Sequence, residues 1–299
     1  MRMALGLFIK QITCPRPVRP ITPTKGVSDG RRPSMPELPE VERGRRIAER
    51  HIVGKRIDKV SARHDEIVFC GVTARRFALV LRGRVVAAAC RKGKHLWFEL
   101  DQRPWPTFHF GMTGSFKVYR QQTDRPRFWK FELLLNDRTR LAMPDGRRLG
   151  RVRLLENPAQ EPPISKLGID PYLDLPPVRH LAKLLSRRRT PIKALLLDQS
   201  IFAGVGNWIA DEVLYQAGIS PHRLACELTG EQMKKLRSKL KAIIGRACAV
   251  EADKDRFPRT WLFHHRWGRD PNATTFRKEK IIHDTIGGRT TAWVPAVQC

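Results

Sequence analysis

Acidic residues are scarce in this sequence. Its 299 residues include 29 Asp and Glu against 57 Lys and Arg, which gives a formal net charge of +28. An enzyme that acts on small neutral metabolites has no use for such an excess of positive charge. The imbalance predicts a polyanionic partner, most simply a nucleic acid, with an anionic membrane surface as the alternative.

Long hydrophobic runs and paired cysteines are also missing. The sequence has no run of about 18 apolar residues, so it predicts no membrane-spanning helix. Its six cysteines include no C-x2-C pair, which argues against a zinc finger or zinc ribbon. Their scattered spacing is also a poor disulfide framework, and it predicts a protein of a reducing intracellular compartment.

The first 35 residues differ from the rest of the chain. Residues 1–34 carry seven basic residues and one acidic residue, with four prolines between Cys14 and Thr24. Organelle-targeting segments share this arginine-rich and acid-poor composition. We expect residues 1–35 to be a targeting segment or the product of a misassigned start codon, and in either case to be absent from the active form.

The length suggests about two domains, and a hydrophobic content of 41% is enough for a buried core. Residues 36–54 have a helical pattern, whereas residues 55–156 contain short apolar or alternating runs separated by turn residues. Examples of the predicted strands are 77–81, 85–89, 95–100, 107–110, 116–119, 128–135 and 140–142. Many short strands joined by turns favour an antiparallel β-sandwich.

Two proline-rich stretches, 157–163 and 171–177, predict an interdomain linker, and a helical pattern follows them. The helix candidates are 181–186, 192–198, 207–216 and a long helix that begins with a capping box at Thr229 and Gln232. The last 40 residues return to short strands around Gly287 and Gly288. We therefore expect an α+β protein with domains at 36–165, 178–259 and 260–299.

Residues 35–42 are the most informative segment, with the sequence Met-Pro-Glu-Leu-Pro-Glu-Val-Glu. This segment resembles the amino terminus of the formamidopyrimidine-DNA glycosylases and their endonuclease VIII-like relatives, and the resemblance extends from Met35 to Gln298. In that family the initiator methionine is removed and proline becomes the first residue. The resemblance implies a sandwich domain that begins with a helix, a helix-two-turn-helix domain and a C-terminal finger.

Elementary chemistry explains why such a terminus is useful. A free amino-terminal Pro36 is a secondary amine, and an α-amino group has a reference pKa of about 7.7 to 8.0, so a useful fraction is unprotonated near neutrality. Such a nitrogen can attack the anomeric carbon of a damaged nucleoside and form an iminium ion. Inside a longer chain the same nitrogen is an amide without an available lone pair.

The neighbouring carboxylates have roles that the resemblance assigns. Glu37 lies beside the proposed nucleophile and is implied to be the general acid and base. Glu40 is implied to position water or the proline, although its place near a helix start also fits a purely structural role. We expect Glu42 to lie on the surface.

Two further motifs imply contacts with DNA around the damaged nucleotide. Lys94, in Arg-Lys-Gly-Lys-His-Leu (91–96), matches a lysine that contacts phosphates and assists catalysis. His109 and Met112 lie in His-Phe-Gly-Met-Thr-Gly-Ser (109–115), where His109 is implied to hold a phosphate. The methionine of this motif fills the gap left by the extruded base and offsets part of the cost of unstacking.

Residues 145–150, Asp-Gly-Arg-Arg-Leu-Gly, match the loop that supplies the other two gap-filling side chains. Arg147 is implied to pair with the orphaned base opposite the lesion. Leu149 stands where the family usually has a phenylalanine, and a leucine cannot stack as an aromatic ring can. This departure leaves open which opposite base is preferred.

The second half of the chain supplies the remaining phosphate contacts. A Gly-Val-Gly turn before a helix offers backbone N–H groups to a phosphate, and the resemblance makes Asn207 a phosphate ligand. Lys193 matches a position that is either structural or phosphate-binding. Arg289, at the tight turn of the last hairpin, matches an arginine that reaches the phosphates at the lesion.

The C-terminal segment lacks the four cysteines with which bacterial relatives usually bind zinc. It resembles instead the zincless β-hairpin finger of plant, fungal and some bacterial members. Residues 261–265, Trp-Leu-Phe-His-His, recur in that subgroup and are expected to pack against the finger. We expect no metal site and no cofactor.

The sequence therefore predicts a monomeric, intracellular base-excision-repair enzyme that removes oxidised bases from double-stranded DNA and cuts the resulting abasic sites. Its compartment would be a bacterial cytoplasm or a eukaryotic nucleus or organelle. Formamidopyrimidines, 8-oxoguanine or hydantoins would be its substrates, with an endonuclease VIII-like preference for oxidised pyrimidines as one alternative. A second alternative is a catalytically silent damage-binding protein in which Pro36 stays acylated. An RNA-binding protein would explain the charge but not the ordered motifs.

Overall fold

A computed structural model describes residues 35–299. Our prediction for the segment before Met35 lies outside these residues. The helices in the described range are α1 to α6, in chain order Leu38–His51, Ala74–Leu81, Val178–Leu185, Ile192–Leu197, Asn207–Ala217 and Gly230–Ala249. No helix within this range combines the length and the hydrophobicity that a membrane crossing requires.

Strands dominate the first half and return at the end. The strands β1 to β10 are Ile57–Ala62, Val86–Lys92, His95–Leu100, Trp105–His109, Lys117–Tyr119, Trp129–Leu135, Arg140–Pro144, Arg151–Leu155, Ile282–Ile286 and Arg289–Trp293. The first eight strands form two four-stranded antiparallel sheets with the orders β1-β6-β7-β5 and β2-β3-β4-β8. The predicted α+β fold with an antiparallel sandwich is therefore confirmed.

Alternating strand residues build the core of the sandwich. In β3, for example, Leu96, Phe98 and Leu100 are all nearly inaccessible to solvent, as expected when every second side chain points to one face. A group of phenylalanine rings fills the space between the sheets: Phe69, Phe77, Phe98, Phe108, Phe110, Phe116 and Phe131. Helix α1 packs against β2 and β3, and also against α6, so it joins the sandwich to the helical half.

The prediction of a strand at residues 77–81 is wrong, because this segment belongs to helix α2. Thr73 caps the helix by accepting a hydrogen bond from the Arg76 amide at 3.1 Å. Phe77 and Leu81, four residues apart, are buried on one face, whereas 60% of Leu79 is exposed. A five-residue apolar run does not distinguish a buried strand from a helix by itself.

The helical half forms a second core around Trp208, which contacts the rings of Phe257, Trp261 and Phe263. The predicted capping box of α6 is present, since Thr229 and Gln232 each accept a hydrogen bond from the other's backbone amide. Strands β9 and β10 form an antiparallel hairpin around the Gly287-Gly288 turn, as predicted.

Candidate active site and DNA interface

A cleft with a volume of about 200 Å³ opens where the two cores and the C-terminal hairpin meet. Its walls come from the β2–β3 turn, the end of β4, the amino terminus of α5 and the start of β10. The lining residues are Met35, Lys94, His95, His109, Leu167, Leu197, Gln199, Gly206, Asn207 and Arg289. Four of the predicted site residues therefore meet here, together with the residue that precedes Pro36.

Glu37 is fixed at the amino terminus of α5. Its Oε1 accepts a hydrogen bond from the Trp208 amide at 2.9 Å, and its Oε2 accepts one from the Ile209 amide at 3.2 Å. Gly206 has no room for a side chain, because a Cβ there would lie 2.2 Å from the Glu37 carboxyl carbon. Burial raises the pKa of Glu37, while the positive charge of Lys94 and the two amides oppose this shift.

Glu40 lies one helical turn further along α1. Its Oε2 accepts a hydrogen bond from the Glu37 amide at 3.0 Å, whereas its buried Oε1 has no hydrogen-bond partner in residues 35–299. Burial, together with the negative charge of Glu37, raises the pKa of Glu40 to about 7. The carboxyl group can therefore gain or lose a proton near neutral pH.

Lys94 lies in the turn between β2 and β3, and Gly93 holds this turn in place. The Gly93 amide donates to Oδ2 of the buried Asp170 at 2.7 Å. Gly93 has a φ of +57° and approaches Ala203 so closely that a Cβ would lie 3.0 Å from the Ala203 methyl group. Burial lowers the pKa of Lys94; the carboxylate of Glu37 opposes the shift and the charge of Arg289 adds to it.

Two histidines lie side by side on paired strands at the cleft wall. The ring centroids of His95 and His109 are 4.8 Å apart, and the residues are directly opposite in the β3–β4 ladder. Burial and nearby positive charges lower the pKa of His95 to about 3 and that of His109 to about 4. Nδ1 of His109 accepts a hydrogen bond from the Gly111 amide at 3.1 Å, which leaves the proton on Nε2.

Asn207 connects the helical half to the hairpin. Its Nδ2 donates to the Thr290 carbonyl oxygen at 2.7 Å, and its buried Oδ1 has no partner within the described part of the chain. A phosphate accepts hydrogen bonds, so the side chain can bind one only through the second Nδ2 hydrogen. Arg289 is exposed at the first position of β10, beside this connection.

The three predicted gap-filling residues, Met112, Arg147 and Leu149, are not among the described residues that line the cleft. They lie in two loops that touch each other. Gly111 has a φ of +59°, and a Cβ there would lie 2.4 Å from the Leu149 carbonyl group. Met112 is half-buried, whereas Arg147 and Leu149 are exposed.

Asp145 joins these two loops and was not predicted from the sequence. The residue is fully buried. Its Oδ1 accepts hydrogen bonds from Thr113 Oγ1 at 2.7 Å and from the Arg147 amide at 3.2 Å. Its Oδ2 accepts one from the Gly150 amide at 2.7 Å. One carboxylate therefore fixes the backbone on both sides of the gap-filling residues.

The prediction that Glu42 lies on the surface is wrong. It is 2% exposed and accepts hydrogen bonds from Arg45 at 3.0 Å and from Arg91 at 3.0 Å. Arg91 also donates to Asp170 Oδ2 at 2.5 Å. This buried network connects α1 and β2 to the segment that precedes α3. Arginines three and four residues after Glu42 were a local signal for ion pairing on α1, but Arg91 and Asp170 are remote in sequence.

Models of known families match both halves of the chain. The formamidopyrimidine-DNA glycosylase N-terminal domain matches residues 35–152, and the formamidopyrimidine-DNA glycosylase H2TH domain matches residues 167–258. The formamidopyrimidine-DNA glycosylase of Arabidopsis thaliana is 41% identical over 277 residues, which cover 88% of this chain and 71% of that protein. The chain belongs to the formamidopyrimidine-DNA glycosylase family. The formamidopyrimidine-DNA glycosylase of Geobacter metallireducens is 31% identical. That alignment covers 88% of this chain and 100% of the Geobacter protein.

Solved structures agree with this family assignment. The formamidopyrimidine-DNA glycosylase of Lactococcus lactis, bound non-covalently to DNA that contains an abasic site, superimposes with a TM-score of 0.76. A mutant of the same glycosylase bound to DNA with a formamidopyrimidine lesion gives the same TM-score. Both are 26% identical, and each alignment covers 88% of this chain and 99% of the other.

The C-terminal hairpin matches the zincless subgroup of the family. Residues 260–298 contain no cysteine, and a small apolar cluster stabilises the hairpin instead: Tyr215, Leu262, Ile281, Ala292 and Val294. Across residues 35–299, no group of three or more His, Cys, Asp or Glu side chains is placed to hold a metal ion. Leu262 and Phe263 confirm that segment 261–265 packs against the hairpin and α5.

Lys193 is structural in this glycosylase fold. Its side chain is fully buried, pairs with Asp211 and donates to the Asn207 carbonyl oxygen at 3.0 Å. Asp211 also pairs with Arg266 and accepts a hydrogen bond from the Ala292 amide at 3.1 Å. This buried group fixes the hairpin to α5, and so fixes the position of Arg289 relative to Asn207.

Proposed function

We propose that this chain is a bifunctional DNA glycosylase and abasic-site lyase of base excision repair. It would act as a monomer on intracellular double-stranded DNA, with residues 36–165, 178–259 and 260–299 as its catalytic, helix-two-turn-helix and finger domains. Formamidopyrimidines, 8-oxoguanine or hydantoins are its proposed substrates. The family membership supports this class of reaction, and the positive charge supports binding to the DNA backbone.

The proposed nucleophile is the nitrogen of Pro36 in a chain that begins at this residue. The nitrogen forms a bond to the sugar C1′ as the bond between C1′ and the damaged base breaks. Ring opening gives an iminium ion, which acidifies the neighbouring sugar protons. Loss of such a proton expels the 3′ phosphate, and a second elimination expels the 5′ phosphate. The support is positional, because Met35, directly before Pro36, lines the cleft with Lys94, Asn207 and Arg289.

Glu37 is proposed to move the protons of this reaction. Because two amides of α5 and the charge of Lys94 stabilise its anion while burial destabilises it, the carboxyl group can both give and accept a proton. Glu40, with a pKa raised to about 7, can exchange protons with water close to the Pro36 nitrogen. Burial lowers the pKa of Lys94 and the carboxylate of Glu37 opposes this shift, so the two groups influence each other in the cleft that a phosphate would enter.

The remaining predicted residues are proposed to bind DNA. His109, Asn207 and Arg289 line the cleft and present N–H donors to phosphates on either side of the lesion. Met112, Arg147 and Leu149 would enter the gap left by the extruded nucleotide, as an apolar and a hydrogen-bonding wedge. Leu149 makes an aromatic stack impossible at that position, so a preference for oxidised pyrimidines remains a second candidate.

The observation that carries the proposal is that Met35, directly before Pro36, lines a cleft to which the β2–β3 turn, α5 and the final hairpin also contribute. The test is borohydride trapping. Protein that begins at Pro36 is incubated with a duplex containing an abasic site and sodium borohydride, and the adduct is mapped by mass spectrometry. We expect a covalent adduct on Pro36.

The matched control carries one extra glycine before Pro36, which turns the Pro36 nitrogen into an amide and moves the free amino group, now a primary amine, one residue further out. This variant is expected to bind the abasic duplex normally, to form no adduct on Pro36 and to give much less adduct in total, because its primary amine is displaced from the position of the Pro36 nitrogen. An equal yield of adduct from both proteins would contradict the proposed nucleophile. Intact binding without any adduct from either protein would instead support the damage-binding alternative. A panel of single-lesion duplexes then separates purine from pyrimidine substrates.

A further inference from the structure

An aromatic side chain stands exposed beside the gap-filling loops. Phe128, directly before β6, is 57% exposed and has a φ of +57°. Bulky residues rarely adopt this left-handed conformation, because the Cβ crowds the following carbonyl group. Strained backbone of this kind persists only where the surroundings enforce it, and it occurs most often at functional sites.

The loop that contains Arg147 holds Phe128 in place. The Phe128 carbonyl oxygen accepts a hydrogen bond from the Asp145 amide at 3.0 Å. The ring lies over Gly146, where an added Cβ would be 3.4 Å from Phe128 Cδ2. Asp145 and Gly146 directly precede Arg147, so the phenyl ring and the arginine belong to one structural unit.

The chemistry of this edge fits a nucleic acid. The guanidinium group of Arg127 lies 5.3 Å from the centre of the Phe128 ring, and Arg147 and Leu149 are exposed in the loop that contains Gly146. Neighbouring Trp129 is less exposed and has two guanidinium groups over its ring, those of Arg63 at 4.6 Å and Arg125 at 4.5 Å, whereas Phe128 has one. Exposed rings among cationic side chains are the pattern with which proteins stack on bases and bind the adjoining phosphates.

We propose that Phe128 is a base-stacking residue for the DNA strand opposite the lesion. Its ring stacks on a base next to the one that Arg147 contacts, and it supplies the aromatic surface that Leu149 does not. The proposal rests on the proposed function, since it takes Arg147 to face the orphaned base. Under this proposal, Phe128 helps to determine which bases the protein prefers in the strand opposite the lesion.

The test uses protein that begins at Pro36 and a duplex with a tetrahydrofuran abasic analogue, which requires no chemistry at Pro36. The variant is Phe128→Asn, because asparagine tolerates the left-handed conformation and the turn should fold at least as well. We expect the dissociation constant for this duplex to rise about tenfold, the usual scale of one lost base stack. Phe128→Trp should retain the affinity of the original protein.

A spectroscopic measurement separates stacking from a structural role. 2-Aminopurine is placed opposite the analogue, or one position to either side, because its fluorescence is quenched when an aromatic ring stacks on it. One of the three positions should become brighter in the Phe128→Asn complex and stay quenched with Phe128→Trp. Leu79→Ala, which trims another exposed apolar side chain, should change neither affinity nor fluorescence.

The outcomes distinguish this proposal from the proposed function. If the original protein does not prefer the abasic duplex over an intact one, the proposed function itself fails. If it has that preference but Phe128→Asn binds equally well with unchanged fluorescence at all three positions, only the role of Phe128 is overturned. Equal loss of affinity with Phe128→Trp would indicate a structural role and would also overturn it.

Discussion

The cleft and the gap-filling edge are built in opposite ways. Around the cleft, Glu37 and Asn207 are held by buried hydrogen bonds from other elements, and the ion pairs of Arg91 and Lys193 lie beneath them. At the gap-filling edge, the side chains of Arg147 and Leu149 are exposed, and Asp145 fixes only the backbone of their loop, at the amides of Arg147 and Gly150.

The difference reflects what each region must do. Proton transfer and nucleophilic attack need groups held in place before the substrate arrives, because reorganisation during the reaction would add to the barrier. Filling a gap in DNA requires side chains that can adapt to the bases they meet. A substitution should therefore affect the rate of the reaction when it lies at the cleft, and recognition of the damage when it lies at the edge.

The largest effect is expected at the cleft from Glu37→Gln. The variant removes the proposed proton donor, and general acid–base catalysis typically contributes about 10² to 10⁴ in rate. We expect single-turnover excision of an oxidised base to slow by that factor, while affinity for the abasic-analogue duplex changes less than threefold. Excision within threefold of the original rate would remove Glu37 from the mechanism.

A control is needed because Glu37→Gln also changes a buried contact. In the original protein both carboxylate oxygens accept hydrogen bonds from α5 amides, whereas in the variant an NH₂ group faces one of these N–H donors. Circular dichroism and thermal unfolding should show a folded protein of somewhat lower stability, since one unsatisfied buried group costs about 1 to 3 kcal/mol. A rate loss that is reversed by cooling the assay below the unfolding transition would indicate instability rather than lost chemistry.

The second comparison is between a buried and an exposed ion pair, both of which connect the two halves. Asp170→Ala leaves Arg91 with Glu42 as its remaining carboxylate partner and releases the Gly93 amide, and breaking a buried pair costs about 3 to 5 kcal/mol. Glu251→Gln breaks the exposed pair with Arg50, which should cost about 0 to 1 kcal/mol. Urea unfolding monitored by tryptophan fluorescence measures both, and equal losses would contradict the assignment of stability to the buried network.

A smaller and more selective effect is expected at the edge from Asp145→Asn. The asparagine side chain has one oxygen acceptor in place of two, so it cannot accept hydrogen bonds at both the Oδ1 and the Oδ2 positions of Asp145. The loops of Met112 and Arg147 therefore lose their common anchor. We expect excision of a base from duplex DNA to fall about tenfold, the scale of one lost charged hydrogen bond. Cleavage of a pre-formed abasic site should fall less than threefold, because no base has to be extruded.

Thr113→Val provides the matched control, as it removes one of the three hydrogen bonds to Asp145 with little change in shape. Its effect on excision should lie between those of the original protein and Asp145→Asn. Equal losses on the oxidised-base and abasic substrates in either variant would show that Asp145 supports the fold generally rather than the gap-filling loops.

Local patterns were sufficient for most of the fold but not for the site's supporting network. Short apolar and alternating runs predicted strands β2 to β7, and the capping box at Thr229 predicted the start of α6, whereas β1 and β8 were not among the named strands. Segment 77–81 failed because its apolar run is too short to show a period. The role of Glu42 was missed because its partner Arg91 is 49 residues away and Asp170 is 79 residues beyond Arg91, and a single sequence carries no signal for such pairs.

The residues of the cleft were predicted from the resemblance rather than from spacing. Lys94, His109, Asn207 and Arg289 come from four different segments, and only the fold brings them together. His95 was not predicted, although its position beside Lys94 at the start of a strand would have been a usable signal.

The smallest expected effect concerns charge at the cleft wall. Because the pKa of His109 is lowered to about 4, the ring is neutral at pH 7.5 and also at pH 5.5, and it can offer a phosphate only a neutral N–H. A cationic contact releases a counterion from DNA, whereas a neutral one does not. We expect His109→Gln to leave the slope of log affinity against log salt unchanged at both pH values.

Arg289→Gln provides the contrast, since an arginine contact with phosphate should reduce the slope by about 1. Fluorescence anisotropy with the abasic-analogue duplex at several salt concentrations measures both variants. If His109→Gln lowers the slope at pH 5.5 but not at pH 7.5, the histidine is protonated in the complex. DNA phosphates would then have raised its pKa above 5.5, and the cleft would respond to its substrate as the gap-filling edge does.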